Sequence, residues 1–279
     1  MVPFQRLACL APLMLAPAAA AAETCRYSGA ADHGAAIAVT SVVTRDGNVV
    51  TTDITLDLTA SYLFQDVRYL LEELATFRSG EVQTVAVNAR AVVNGAPRRQ
   101  QWDLFVRTPG GLAAQRVQAK SLESFRSRHP GFVAQWDLAA FGTPWLPRYA
   151  AAPPDRRADL DLPAANLAAG LRPSFALAFY WSRWLPRGGL AVPVFLPGFK
   201  HDALAEAAFG AATPSGGGRA WRATLSHPGL VSRAPSTAIA SVSPNGDLDT
   251  LAFDLHSAAG SASGAIHRDG CEGAAVPPG

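Results

Sequence analysis

Two cysteines, a few histidine and carboxylate pairs, and a crowd of aromatic rings are the parts of this chain that could do chemistry. Cys25 and Cys271 stand at opposite ends of the 279 residues, and Cys9 is the third cysteine. In an oxidising compartment two such thiols form a structural disulfide and leave none as a nucleophile; two free terminal thiols are the alternative. Asp254 and His256 are two apart, which places both on one face of a strand, where a carboxylate can orient an imidazole for base catalysis. Leu251, Phe253 and Leu255 take the other face, so the plainer reading of the pair is a solvent-facing row. His201 and Asp202 form a second pair of the same kind. No serine lies in a G-x-S-x-G elbow, and no catalytic residue is assigned.

Metal and phosphate chemistry find less support. The histidines, at 33, 129, 201, 227, 256 and 267, show no i,i+4 pairing and no C-x-x-C companion. Asp159 and Asp161 beside Arg156-Arg157 read as a solvated loop more readily than as a cation site. Gly216-Gly217-Gly218 lacks the Lys and Ser/Thr of a phosphate loop. No metal and no cofactor is expected.

The aromatic set is the stronger candidate for binding. Trp136, Trp145, Phe179, Tyr180, Trp181 and Trp184 cluster in the middle of the chain with Arg183 among them. Rings over a curved sheet can enclose an apolar ligand, and one arginine can pair with its carboxylate or phosphate. The same rings can instead plug the core, with Arg183 bonded to a carbonyl or an acid.

Compartment follows from the first residues. Arg6 precedes an apolar run, Leu7 to Ala22, interrupted by Pro12 and Pro17 and closing on three alanines. Residues 1–22 read as a secretory signal cut before Glu23, because the run is shorter than the roughly 20 residues a spanning helix needs. The expected location is the periplasm, with no transmembrane segment after cleavage. Lys plus Arg number 24 against 22 Asp plus Glu, a balance that argues against nucleic acid as a partner.

The elements that must position these groups are strands. Thr52, Ile54, Leu56 and Leu58 alternate with Asp53, Thr55 and Asp57, the pattern of a half-buried antiparallel strand. Residues 36–44 and 51–59 flank Arg45-Asp46-Gly47-Asn48 as a hairpin. Residues 82–93 and 100–107 flank Asn94-Gly95, and Pro109-Gly110-Gly111 leads into 112–119. Residues 237–243 and 248–256 flank Asn245-Gly246, and 261–268 make a last strand ending before Cys271. The fold class is therefore mainly β: a curved antiparallel sheet or half-barrel of successive hairpins, in one β-rich domain over 23–279.

Residues 121–190 break this grammar. They hold prolines, aromatics and no alternation, and read as an irregular cover that includes a short buried helix from Ser174 to Leu185, stopped by Pro186. A short buried strand is the rival for that segment.

Three sets of residues carry a family likeness. They are Phe77-Arg78-Ser79-Gly80-Glu81-Val82 leading to Asn88 and Asn94-Gly95, then Tyr180-Trp181-Ser182-Arg183-Trp184-Leu185 before Gly188-Gly189, and the closing Leu251, Phe253 and Gly260-Ser261. With these the chain resembles exported bacterial proteins of an uncharacterised family, a domain of unknown function with a mostly antiparallel, barrel-like β fold. The resemblance implies fold and export and no catalytic role. The long cover and the flanking cysteines depart from that pattern.

Together these features predict a periplasmic, non-catalytic protein that binds an apolar or amphiphilic ligand or an envelope partner. The alternatives are a hydrolase-like enzyme using a His-carboxylate pair and a structural partner-binding module. The cysteine bracket makes a further demand: the strands at the two ends of the chain must be neighbours.

Overall fold

The computed structural model describes residues 21–62, 64–108, 111–119, 165–167, 172–173, 179, 190–195, 204–212, 219–226, 236–243, 247–257 and 260–276. Almost all of them are in strands.

The first half of the chain is a meander of long strands: β1 (Ala21–Ala31), β2 (Ala35–Asp46), β3 (Val49–Tyr62), β4 (Gln65–Arg78), β5 (Glu81–Val93), β6 (Ala96–Thr108), β7 (Gly111–Ala119) and the short β8 (Ala165–Leu167). The second half contributes β9 (Arg172–Pro173), β10 (Leu190–Phe195), β11 (Leu204–Ala212), β12 (Arg219–Ser226), β13 (Ser236–Val242), β14 (Leu248–Ser257) and β15 (Gly260–Gly273). All fifteen lie in one sheet, in the order β8 through β1, then β15 back through β9. The pairing is antiparallel except between β9 and β10, which run parallel.

Turn chemistry explains the hairpins. Asn94 and Gly95 both have positive φ, 50° and 74°, as do Ser79 and Gly80, at 50° and 77°. Two such residues make the turn whose twist matches that of the flanking strands. Gly47 provides the single positive φ, 58°, between β2 and β3. These turns hold the expected registers, Asp46 against Val49 and Val93 against Ala96.

Alternation then sorts the faces. Tyr27 on β1, Ile37 and Val39 on β2, Ile54 on β3, Leu71 and Phe77 on β4, Val85 and Val87 on β5, Trp221 on β12 and Ile266 on β15 belong to one buried cluster. A cluster drawn from one face of so many strands requires the sheet to curl around it. Chain connectivity requires the same. Fifteen flat strands would span on the order of 65 Å, yet Leu167 of one margin and Arg172 of the other are five residues apart, a reach of about 18 Å. Among the described residues no ladder joins β8 to β9, so the sheet is curled and not closed.

The seam between the two halves is β1 against β15. Cys25 and Cys271 face each other in its register and are bonded, with Cα atoms 4.0 Å apart. Both cysteines lie inside strands, so the last strand continues through Cys271 where sequence patterning ended it earlier. The backbones approach so closely here that a Cβ on Gly29 would meet the Ala265 carbonyl oxygen at 1.9 Å. Side chains bridge the same seam: Arg26 to Glu272 at 2.7 Å, the Ser28 hydroxyl to Asp269 at 2.7 Å, and Asp32 accepting from the Ser263 amide and hydroxyl.

The predicted irregular cover over 121–190 is interrupted by β8 and β9 and ends at β10, whose first residue is Leu190. Those short segments pair only where neighbouring strands offer a free edge, a condition that local sequence does not encode. The rest of the cover lies outside the described residues. Within the predicted helix only Phe179 is described, and it is helical and buried.

The disulfide closes a loop with a sequence separation of 246. A loop of that size removes about 5 kcal/mol of unfolded-state entropy. The double substitution Cys25→Ser, Cys271→Ser is expected to lower the thermal midpoint by on the order of 10 °C. A shift below about 2 °C by calorimetry would show that the seam holds without its covalent bond.

Candidate functional site

Some of the groups that could do chemistry fall on described strands of this sheet. Asp254 and His256 lie two apart on β14, opposite in sense to Phe253, which packs against the core. Their side chains meet, with His256 Nε2 3.3 Å from Asp254 Oδ2. β14 is flanked on both sides, by β13 and β15, so the pair stands in mid-sheet. Ser236, a buried residue of β13, places its hydroxyl against the His256 backbone. It accepts from the His256 amide at 2.9 Å and donates to the His256 carbonyl at 3.3 Å. The Ser236 hydroxyl is thus engaged with the backbone and not with the imidazole, so it is not aligned as a nucleophile with this pair. His201 and Asp202 lie outside the described residues.

Of the aromatic set, Phe179 is described. Its ring packs edge-to-face on Tyr27 at 5.0 Å between centroids, inside the curl, where it fills space beside β1. Trp136, Trp145, Tyr180, Trp181, Arg183 and Trp184 lie outside the described residues.

Among the described residues, Glu23, Cys25 and Cys271 form a cluster of metal-donor types with ligand atoms within 4.8 Å of one another. Both sulfurs are spent in the disulfide, and Glu23 Oε2 accepts from the Val276 amide at 3.3 Å. The cluster reads as a clasp holding the C-terminal segment to β1.

A concavity that sequence reasoning did not single out lies at one rim of the sheet. It is lined by Gly34, Ala36, the end of β3 (Thr59, Ala60, Ser61), the start of β4 (Asp66, Val67, Arg68), Val92 and Gly95, and has a volume of ≈ 650 Å³. The rim is tied together locally. The Asn94 amide donates to the Asp66 carbonyl at 2.8 Å, and the Asp66 amide donates to Asn94 Oδ1 at 2.8 Å, so the β5–β6 turn is fastened to the β3–β4 hairpin. Ser61 donates to Asp66 Oδ1 at 2.7 Å. Arg68 grips Asp57 through Nε at 2.9 Å and Nη2 at 2.6 Å, an ion pair that raises the guanidinium pKa further and, among the described residues, leaves Nη1 uncommitted. No sequence signal marks such a place. Its walls are made by small residues and by strand ends that meet only when four strands are in register.

One face carries a strained polar group. Asp53 on β3 stands opposite Val42 and Leu74, and its Oδ1 is buried without a hydrogen-bond partner. Burial pushes its carboxyl pKa up.

No family model and no curated protein matches the chain. Among solved structures it is similar to the β-barrel-like protein of the domain of unknown function DUF1849 from Brucella abortus, with a TM-score of 0.57 and 8% identity over 91% of this chain and 98% of that one. At that identity the likeness is one of fold. It supports the barrel-like part of the family resemblance drawn from the motifs. Among the described residues no helix is long and apolar enough to cross a membrane.

The raised carboxyl of Asp53 makes a pH-dependent prediction. A group whose folded pKa exceeds its unfolded value favours the fold below the unfolded pKa and costs stability as pH rises through the folded value. Asp53→Asn is therefore expected to raise the thermal midpoint at pH 7, and the gain should vanish near pH 3 to 4, where the native carboxyl is already protonated. Melting curves at the two pH values check this; an equal gain at both would assign the effect to something other than charge.

Proposed function

We propose that this protein is an exported, non-catalytic binding module that holds an apolar or amphiphilic small molecule on its curled sheet. The observation that carries the reading is the rim concavity. Its volume of ≈ 650 Å³ falls within the range of about 300–1,000 Å³ used by small-molecule sites. Ala36, Ala60, Val67 and Val92 offer it apolar walls, while Thr59, Ser61 and the uncommitted Nη1 of Arg68 offer polar anchors on one side. An amphiphile with an anionic head matches that division.

Export is supported by the signal-like residues 1–22 and by the disulfide, which persists in oxidising compartments; the periplasm is the location we propose. Trp136, Trp145, Tyr180, Trp181, Arg183 and Trp184 remain the proposed aromatic cover of the ligand, and Phe179 serves the core.

The test is direct. Native mass spectrometry of protein purified from the cell envelope should show a co-purifying lipid-like mass, and a fluorescent fatty acid in solution should bind with one-to-one stoichiometry. Ala60→Trp or Val92→Trp, which fills the concavity, should weaken that binding about tenfold or more. A bare mass under gentle ionisation together with no fatty-acid uptake would remove the ligand reading and favour an envelope partner.

A further inference from the structure

The hairpin tip between β3 and β4 breaks the rule that the other turns of this sheet obey. Where the other turns need positive φ they use His33-Gly34, Gly47, Ser79-Gly80 and Asn94-Gly95, residue types that are small or common in the left-handed region. Between Tyr62 and Gln65, which pair directly, it uses Leu63-Phe64, and Phe64 adopts φ 66°. A bulky aromatic residue there is strained at a cost of about 1 kcal/mol or more. Phe64 is also 103% exposed, and among the described residues it is the one large apolar side chain left fully in water. Folding therefore gains nothing from this residue on either account: the turn would prefer Asn or Gly, and the ring buries no surface.

The surroundings of the tip select the kind of surface it meets. Tyr62-Leu63-Phe64 is an apolar tripeptide in the sequence, and the hairpin that carries Phe64 supplies Ala60, Ser61, Asp66 and Val67 to the concavity. Among the described residues no other large apolar side chain is exposed beside Phe64, whereas an aromatic anchor at a protein interface needs a surrounding ring of contacts to exclude water. A bilayer interface takes in a projecting aromatic without such a ring. On this hairpin the charge of Arg68 is offset by its ion pair with Asp57, so zwitterionic headgroups suffice.

We infer that Phe64 is a membrane-contacting wedge: the β3–β4 tip enters the headgroup boundary of a lipid bilayer and sets the mouth of the concavity against that surface. The wedge rests on the ligand reading only for its purpose, since docking itself needs just the exposed tip.

Phe64→Asn separates stability from docking, because Asn tolerates the left-handed turn that Phe resists. The full chain and this variant share the same N-terminus, so any difference between them reports the tip. In flotation with phosphatidylcholine vesicles the variant should partition about tenfold less than the native chain while its thermal midpoint holds or rises. Phe64→Leu should retain most of the binding. Uptake of a monomeric fluorescent fatty acid from solution should be unchanged by Phe64→Asn, while transfer of the same probe out of vesicles should slow. Equal flotation of native chain and variant, or no flotation of either, would overturn the wedge, as would a Phe64-dependent capture of another protein without vesicle binding. Loss of fatty-acid uptake with flotation intact would remove the ligand reading and leave the wedge standing.

Discussion

One strand pair holds the two halves of this molecule together. β1 through β8 form one meander and β9 through β15 another, and the ladder between β1 and β15 is the joint at which they become a single sheet. Every long-range feature depends on it. The Cys25–Cys271 bond locks its register, the close approach at Gly29 admits no larger residue, and Arg26 with Glu272 adds an exposed ion pair whose worth is small beside the covalent bond. Because β8 and β9 are tied by a short stretch of chain, fixing the seam on one side and that link on the other forces fifteen strands around a common interior.

The curl separates two environments. Inside, rings and branched side chains from both meanders pack as one cluster, with Phe179 filling space against Tyr27. At the rim, strand ends and turns meet without large side chains, and the concavity beside Arg68 is what their mismatch leaves. The same rim exposes Phe64. An apolar tip beside a space with apolar walls and one cationic edge is a coherent arrangement for a protein that meets amphiphiles, and it places binding at the end of the sheet rather than in its filled middle.

The hairpins were legible in sequence because each carries its own instructions: alternation in Thr51 to Thr59, and Asn-Gly or Gly at the turns. β4 was not. Leu70-Leu71-Glu72-Glu73-Leu74 shows no two-residue alternation, since Leu71, Glu72 and Glu73 are all buried and both faces of the strand are screened from water. Both glutamates have interactions with neighbours, although Glu73 Oε2 is buried without a hydrogen-bond partner. β11 was hidden for a related reason, being rich in alanine whose small side chain signals neither face. Asp254 and His256 were found as a pair, while the engagement of Ser236 with backbone required the partner strand to be in place.

Local chemistry in the chain alone determined the strand class, the turns, the export-like start and the pairing of the terminal cysteines, because each depends on residues that are adjacent or on a choice among very few partners. The single curled sheet, the rim concavity and the exposure of Phe64 were settled only by long-range pairing. Residues such as Gly34, Ala60, Val67, Val92 and Gly95 are unremarkable in sequence, and they become a site because backbone hydrogen bonds bring four strand ends into register and leave between them a space that no side chain fills.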